Sequence, residues 1–216
     1  MTSPTARLSP SPGDAASQPR TTSRTRNAAT AIGALALVAS GLSFLSDVIE
    51  VAQGGFSVGQ LWLTLVAEAA IPVFVTGIAA LFWSRLGRLG HASAVAYAYS
   101  YVVFTGTVVY ALVNHTTDYQ TLNDHLGTLM LFHGAIMAFA GLGLGFALLH
   151  RRLLPIWSCV CLMAGVVLVA AAQGLPDAAQ LVAAGVRDLG FAGMGAALIG
   201  EARTAAAEQV SHQMKD

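Results

Sequence analysis

Six apolar segments of about 20 residues, separated by short polar loops, follow the first 27 residues of the chain. They cover residues 28–53, 58–83, 92–113, 126–149, 154–172 and 179–200. One α-helix needs about 20 apolar residues to cross the roughly 30 Å of hydrocarbon in a bilayer. Only 10% of the 216 residues are charged, where a soluble domain has about 25%. The sequence therefore predicts an all-α integral membrane bundle of six transmembrane helices in contact with lipid.

The two ends of the chain have a different composition from the apolar segments. Residues 1–27 are rich in Ser, Thr, Pro and Arg without apolar periodicity, a composition typical of disorder. Arginines before the first apolar segment resemble a secretory signal, but no small-x-small cleavage site follows, which favours an uncleaved span. We expect a disordered cytoplasmic tail over 1–27, a six-helix transmembrane domain over 28–200, and a cytoplasmic C-terminal tail over 201–216.

Lys and Arg alternate between successive loops. They occur before the first segment, in the second and fourth loops and after the last segment, whereas the first, third and fifth loops contain none. Basic residues accumulate on the cytoplasmic side of membrane proteins. The pattern predicts a multi-pass protein of the cytoplasmic (inner) membrane with both termini inside.

Charge and cysteine content exclude other classes. The formal net charge is zero and no basic stripe is present, which argues against nucleic-acid binding. Cys159 and Cys161 lie two residues apart, so a helix directs them to different sides and a mutual disulfide is not expected. We interpret both as small buried side chains, and the sequence leaves the oligomeric state open.

Several ionisable side chains lie within the apolar segments, where each costs roughly 2.5–3.5 kcal/mol on insertion scales. With a helical rise of about 1.5 Å per residue, they fall in one layer of the outer half of the bilayer. Helical spacing also places Gln60, Thr64 and Glu68 on one face of the second helix, and Pro72 opens the backbone at the carbonyl of Glu68. The layer consists of Asp47, Glu50, Glu68, His133, Arg187 and Asp188.

Aromatic side chains accompany this layer. An interfacial aromatic belt with core packing explains them without a ligand; a pocket with acids on one side and π-faces on the other is the alternative. The aromatic candidates for substrate binding are Trp62, Tyr97, Tyr101, Phe104 and Phe191, and Glu50 and Arg187 join them as polar candidates.

The charges also have a structural interpretation. Arg187 could neutralise Glu68 or Asp188 in a buried ion pair that fixes helix register, while Asp47 and Glu50 could extend to the outer headgroups. Against this, the acids outnumber the single Arg, and protonation would relieve the excess negative charge. A neutral buried carboxylic acid is a proton donor.

Three short motifs resemble a broad bacterial six-helix membrane family of unknown function. They are the stretch from Leu65 to Ile71 around Glu68, the turn His150-Arg-Arg-Leu-Leu-Pro-Ile-Trp157, and the acid in Arg187-Asp-Leu189. The resemblance covers about residues 30–200 and implies the same six-helix fold.

Glu68 and Asp188 are also similar in placement to acids of small membrane-bound terpene cyclases, including those of actinobacterial diketopiperazine–terpene pathways. That resemblance implies a metal-independent and cofactor-independent isoprenoid cyclase acting on a lipophilic prenylated small molecule. Glu68 or Asp188 would protonate the alkene, with Asp47 and His133 tuning or reloading the proton, and the aromatic candidates would stabilise the carbocation.

Two other functions use the same features. A proton-coupled small-molecule transporter or membrane sensor would use the acids as a relay, although the inverted repeats typical of many transporters are not apparent. A non-catalytic assembly or immunity protein would use the charges only to hold its helices together.

Overall fold

The computed structural model describes residues 19–214, without the side chains of residues 19–22 and 212. This part of the chain is helical and contains no strand. The helices are α1 (Pro19–Gln53), α2 (Val58–Leu81), α3 (Trp83–Val113), α4 (Tyr119–Leu126), α5 (Thr128–His150), α6 (Ile156–Ala171) and α7 (Asp177–Gln213). The all-α prediction is confirmed.

Five of these helices, α1, α2, α3, α5 and α7, are long and apolar enough to cross a membrane, and α6 is a shorter apolar helix of 16 residues. The outside of the bundle exposes large apolar side chains, among them Val73, Val95, Phe139 and Leu189. A soluble monomer rarely exposes such a surface, whereas lipid accepts it. The fold is that of a helical membrane bundle.

Six helices form a closed ring in the order α1, α2, α3, α5, α6, α7, and α7 packs back against α1. Short connections make consecutive helices antiparallel. We call the end that carries α4, the α1–α2 connection and the α6–α7 connection the α4 end. The opposite end, where the chain enters α1 and leaves α7, is the terminal end.

The helices differ from the sequence prediction at the two ends of the chain, at the start of α3, and between α3 and α5. α3 begins at Trp83 instead of residue 92, with a non-helical backbone at Gly87. α1 begins at Pro19 and α7 continues to Gln213, so part of each expected tail is helical. The Ala-rich, Glu- and Gln-containing segment after residue 201 has high helix propensity. Near these ends, the Arg26 guanidinium donates a hydrogen bond of 2.8 Å to the Gln209 side chain. The remaining expected tail, residues 1–18 and 215–216, lies outside the described residues.

The difference between α3 and α5 is α4, an eight-residue helix in the segment 114–125 that the sequence analysis treated as a loop. Asp118 caps it by accepting a hydrogen bond of 2.7 Å from the Thr121 backbone N–H. This bond and one from the Thr117 hydroxyl lower the pKa of Asp118 from its ordinary value. The Phe56 N–H also donates to the Thr117 carbonyl at 2.7 Å, which ties α4 to the α1–α2 connection.

Toward the terminal end, the ring is filled by apolar side chains. Phe74, Leu144, Leu148, Leu162 and Met194 are among the largest side chains that are fully buried. This packing leaves the polar residues of the ring concentrated toward the α4 end.

Glycines allow close contacts between helices. The carbonyl of Gly195 in α7 would lie 2.5 Å from a Cβ added at Gly33 in α1, and a Cβ on Gly141 would lie 2.9 Å from the Tyr97 ring. A Cβ on Gly165 of α6 would meet the backbone of Arg187 in α7. Gly165 therefore sets how closely α6 approaches the segment of α7 that carries Arg187.

We predict that Gly165→Ala destabilises the bundle by about 1–3 kcal/mol, because the added methyl group overpacks against a rigid helix backbone. Gly106→Ala is the matched control, since a Cβ there meets nothing within 4 Å. The control should hold or raise stability by up to about 1 kcal/mol through helix propensity. Thermal unfolding of both variants in detergent measures the difference, and equal melting temperatures would contradict the prediction.

Candidate functional site

A cavity of about 690 Å³ lies inside the ring toward the α4 end and receives side chains from all seven helices. It extends along α7 from Asp177 to Arg187, which corresponds to about 15 Å of helix. Most of its wall is apolar, as at Leu61, Val108 and Met130. Its carboxyl groups belong to Asp47, Glu50, Glu68 and Asp177.

Gln60 organises the wall between α1 and α2. Its side-chain amide donates hydrogen bonds to the Ser46 hydroxyl at 3.0 Å, to the Thr64 hydroxyl at 3.1 Å and to a Glu50 carboxyl oxygen at 3.3 Å. The Ser46 hydroxyl also lies 2.6 Å from the Thr64 hydroxyl. Because Ser46 and Glu50 are on α1 and Thr64 is on α2, this network joins the two helices and orients Glu50.

Arg187 forms the floor of the cavity. It is paired with its neighbour Asp188, with 2.9 Å between the Arg187 Nη2 and Asp188 Oδ1 atoms, and it donates a 3.3 Å hydrogen bond to the Ser43 hydroxyl of α1. Asp47 and Glu68 also lie close enough to Arg187 to interact with it electrostatically. The floor therefore couples α7 to α1 and α2 through one guanidinium group.

Glu68 lines the floor of the cavity and is 2% exposed. Its Oε2 atom is buried without a hydrogen-bond partner, as is the Oδ2 atom of Asp188. Among the side chains that the structure describes, those of residues 23–211, 213 and 214, the only ion pair is the one between Arg187 and Asp188. Glu68 therefore has a carboxyl oxygen that is available to a ligand or a proton, whereas Asp188 already has a cationic partner.

The aromatic part of the wall is smaller than the sequence suggests. Tyr97 and Phe104 line the cavity, and the Phe104 ring stacks on the ring of His133, with 6.0 Å between their centroids. Tyr101 and Phe191 are fully buried but do not line the cavity; they pack with Tyr97 in an aromatic cluster whose centroids lie 5.1–6.3 Å apart. These two rings belong to the apolar core of the ring.

The structure brings seven of the eleven candidate residues to the cavity wall: Asp47, Glu50, Glu68, Tyr97, Phe104, His133 and Arg187. Asp188 lies beside the floor in its ion pair, and Trp62 is 56% exposed on the outside of the ring. Trp62 follows Gln60 by two positions, about 200° around the helix, so only one of them can face inward. Of the adjacent pair Arg187 and Asp188, only Arg187 lines the cavity.

Residues of α4 complete the wall and were not among the candidates. Tyr119, Leu122 and Asn123 close the cavity at the α4 end, and Leu122 packs on Leu61 and Val108. The cap Asp118-x-x-Thr121 and the glycine after Leu126 are the signals that could have identified this helix. An apolar wall with acids along one side and at the floor suits an amphiphilic small molecule.

We predict opposite stability effects for two amide substitutions. Asp188→Asn leaves a buried guanidinium short of its partner and should cost roughly 3–5 kcal/mol. Glu68→Gln removes a potential buried charge that has no ion-pair partner, so the melting temperature should hold or rise. Thermal unfolding in detergent tests the pair, and the assignment would be wrong if Glu68→Gln were the more destabilising variant.

Comparison with known proteins identifies no relative of this chain. No protein-family model, no curated protein and no solved structure matches the chain. The residues of the cavity are therefore the evidence for its chemistry.

Proposed function

We propose that the protein is a membrane sensor that binds an amphiphilic small molecule in the cavity and transmits its presence through α1 and α7. The main support for this proposal is that α1 and α7 both supply polar residues to the cavity. The same two helices also extend together at the terminal end. Arg187 and Asp188 are on α7, Asp47 and Glu50 are on α1, and Arg26 and Gln209 join the far ends of both.

The length of α7 supports this division of roles. Its 37 residues correspond to about 55 Å of helix, compared with the roughly 30 Å of hydrocarbon in a bilayer. We call the paired extensions of α1 and α7, residues 19–29 and 201–213, the stalk. Its charged residues, such as Arg24, Arg203 and Glu208, suit water better than lipid.

The orientation belongs to the same proposal. We infer six spans, formed by α1, α2, α3, α5, α6 and α7, in the cytoplasmic membrane with both termini inside. Arginines occur at the terminal end and no Lys or Arg occurs in the connections of the α4 end. The cavity then faces the outside of the cell and the stalk faces the cytoplasm.

Charge is the expected means of transmission. A ligand or a proton that changes the charge near Glu68 changes the field on Arg187 of α7 and on Asp47 of α1. Gly33 and Gly195 hold these helices in direct backbone contact farther along. A displacement of one helix at the cavity floor therefore reaches the stalk through the packed α1–α7 interface.

We predict that Glu68→Gln changes the distance between α1 and α7 in the stalk by about 1–2 Å, the usual size of a helix shift. Spin labels on cysteines at Asn27 and Glu208, both exposed, report the distance in lipid nanodiscs. Cys159 and Cys161 are replaced by Ala in this background. Asp124→Asn, an exposed acid of α4 outside the cavity, is the matched control and should leave the distance unchanged.

Identical distance distributions in the reference protein and in Glu68→Gln would contradict transmission to the stalk. A variant with a single cysteine at position 27 tests the orientation, because an impermeant thiol reagent should label this position only from the cytoplasmic side. Labelling of position 27 from outside intact cells would reverse the proposed topology.

A terpene cyclase is the second candidate, favoured by a mainly apolar cavity that is lined by Tyr97 and by Glu68, whose Oε2 atom has no hydrogen-bond partner. The Glu68 proton would add to a terminal alkene carbon, the resulting carbocation would close a ring, and loss of a proton would end the isomerisation. Phe104 and Tyr97 offer their rings to the cation. The geometry supports this candidate less well, since Trp62, Tyr101 and Phe191 do not line the cavity.

For this second candidate, the purified protein should convert a prenylated indole or a prenylated diketopiperazine to an isomer. Glu68→Gln should lower the rate at least about 100-fold, the usual contribution of a general acid. Asp124→Asn should leave the rate unchanged. Product analysis by mass spectrometry and NMR tests this, and full activity in Glu68→Gln would eliminate the acid-initiated mechanism.

A further inference from the structure

One side of the cavity presents more hydrogen-bond acceptors than donors. We call it the acceptor wall and define it as Asp47, Glu50, Gln60 and Asp177, all of which line the cavity. Glu50 interacts electrostatically with three other carboxyl groups, those of Asp47, Asp177 and Asp118. No Lys or Arg is present in the connections of the α4 end. A cation bound at this wall would relieve the repulsion among these carboxyl groups.

The Gln60 side chain provides independent evidence for a ligand at this wall. Its amide nitrogen is used by protein acceptors, with hydrogen bonds to Ser46 at 3.0 Å and to Glu50 at 3.3 Å. Its Oε1 atom is buried and has no hydrogen-bond partner, although the residue is only 2% exposed. An amide oxygen accepts hydrogen bonds only, and burying one without a donor costs about 1–3 kcal/mol. A donor from a ligand would remove that cost.

The acceptors are spaced along the wall rather than gathered at one point. In the part of the chain whose side chains are described (residues 23–211, 213 and 214), no three His, Cys, Asp or Glu side chains lie close enough to hold a metal ion. This spacing suits an ammonium group, whose N–H bonds diverge toward several acceptors. Gln60 Oε1 and the Glu50 carboxyl group are the pair of acceptors that an ammonium group would reach together.

Most of the remaining cavity wall is apolar and aromatic. Leu61, Val108, Met130 and Phe104 supply this surface, and the total volume of about 690 Å³ falls within the range for small-molecule sites. A molecule that matches both surfaces has a protonated amine at one end and an apolar or aromatic body at the other.

We propose that the ligand of this cavity is a cationic amphiphile whose protonated primary or secondary amine donates hydrogen bonds to Gln60 Oε1 and Glu50 while its apolar body lies against Phe104, Leu61 and Val108. This inference deepens the sensor proposal and rests on it for its biological meaning. It makes a separate claim about ligand chemistry, which binding measurements alone can test.

The experiment compares three probes of the same shape and different head groups: 4-phenylbutylamine, 4-phenylbutan-1-ol and 4-phenylbutyrate. Binding to the full-length protein in zwitterionic nanodiscs is measured by isothermal titration calorimetry against empty nanodiscs. The amine should bind at least about tenfold more tightly than the alcohol, as expected for hydrogen bonds to a charged group. The carboxylate should not bind, because the acceptor wall repels it.

Two variants test the assigned contacts. Gln60→Leu and Glu50→Gln should each lower the affinity for the amine by about tenfold or more and lower the affinity for the alcohol by much less, because a neutral hydroxyl forms a weaker hydrogen bond than a charged ammonium group. Asp124→Asn removes an acid at the α4 end without touching the cavity and should leave all three probes unaffected. Because Gln60→Leu also breaks the α1–α2 network, Glu50→Gln decides the matter if the first variant unfolds.

Equal affinities for the amine and the alcohol, preference for the carboxylate, or no binding of the amine would each overturn the inference. Stalk distances measured with the same probes separate it from the sensor proposal. If the amine binds and the stalk does not move, the ligand class stands and the sensor function fails. If the alcohol alone binds and moves the stalk, the sensor function stands and the ligand class is wrong.

Discussion

The buried ion pair of Arg187 and Asp188 is the interaction on which the rest of the site depends. A guanidinium group in a low-dielectric bundle costs several kcal/mol unless a carboxylate and further acceptors surround it. Asp188 supplies the carboxylate and Ser43 of α1 supplies an acceptor. These contacts fix the face that α7 turns toward α1, and they leave Glu68 beside the cation without pairing to it.

The two ends of the ring differ because the residues that face inward differ. Toward the terminal end, Gly33 and Gly195 bring helix backbones into contact, and apolar side chains such as Phe74 and Leu148 fill the interior. Toward the α4 end, the inward side chains include polar ones that bond to adjacent helices, as Gln60 does. Because these side chains form hydrogen bonds to neighbouring helices and not across the ring, the centre of the ring stays open and forms the cavity.

The sequence predicts the chemistry of the cavity better than its aromatic wall. Spacing along one helix is enough to align Gln60 and Glu68, because rise and rotation per residue are fixed by the backbone. The same argument cannot choose between Arg187 and Asp188, which lie about 100° apart on α7. It also fails for Trp62, since an aromatic residue in a membrane helix is equally stable toward lipid or toward the interior.

By itself, the sequence determined that the chain forms apolar helices and that acids concentrate toward one end of the bundle. Those properties follow from local composition and from helix periodicity. Only the tertiary structure decided the order of the helices in the ring, the partner of Arg187 and the free acceptor of Gln60. Each of these depends on the rotation of one helix relative to another, which is set by side chains far apart in the sequence packing together, and no single helix contains that information.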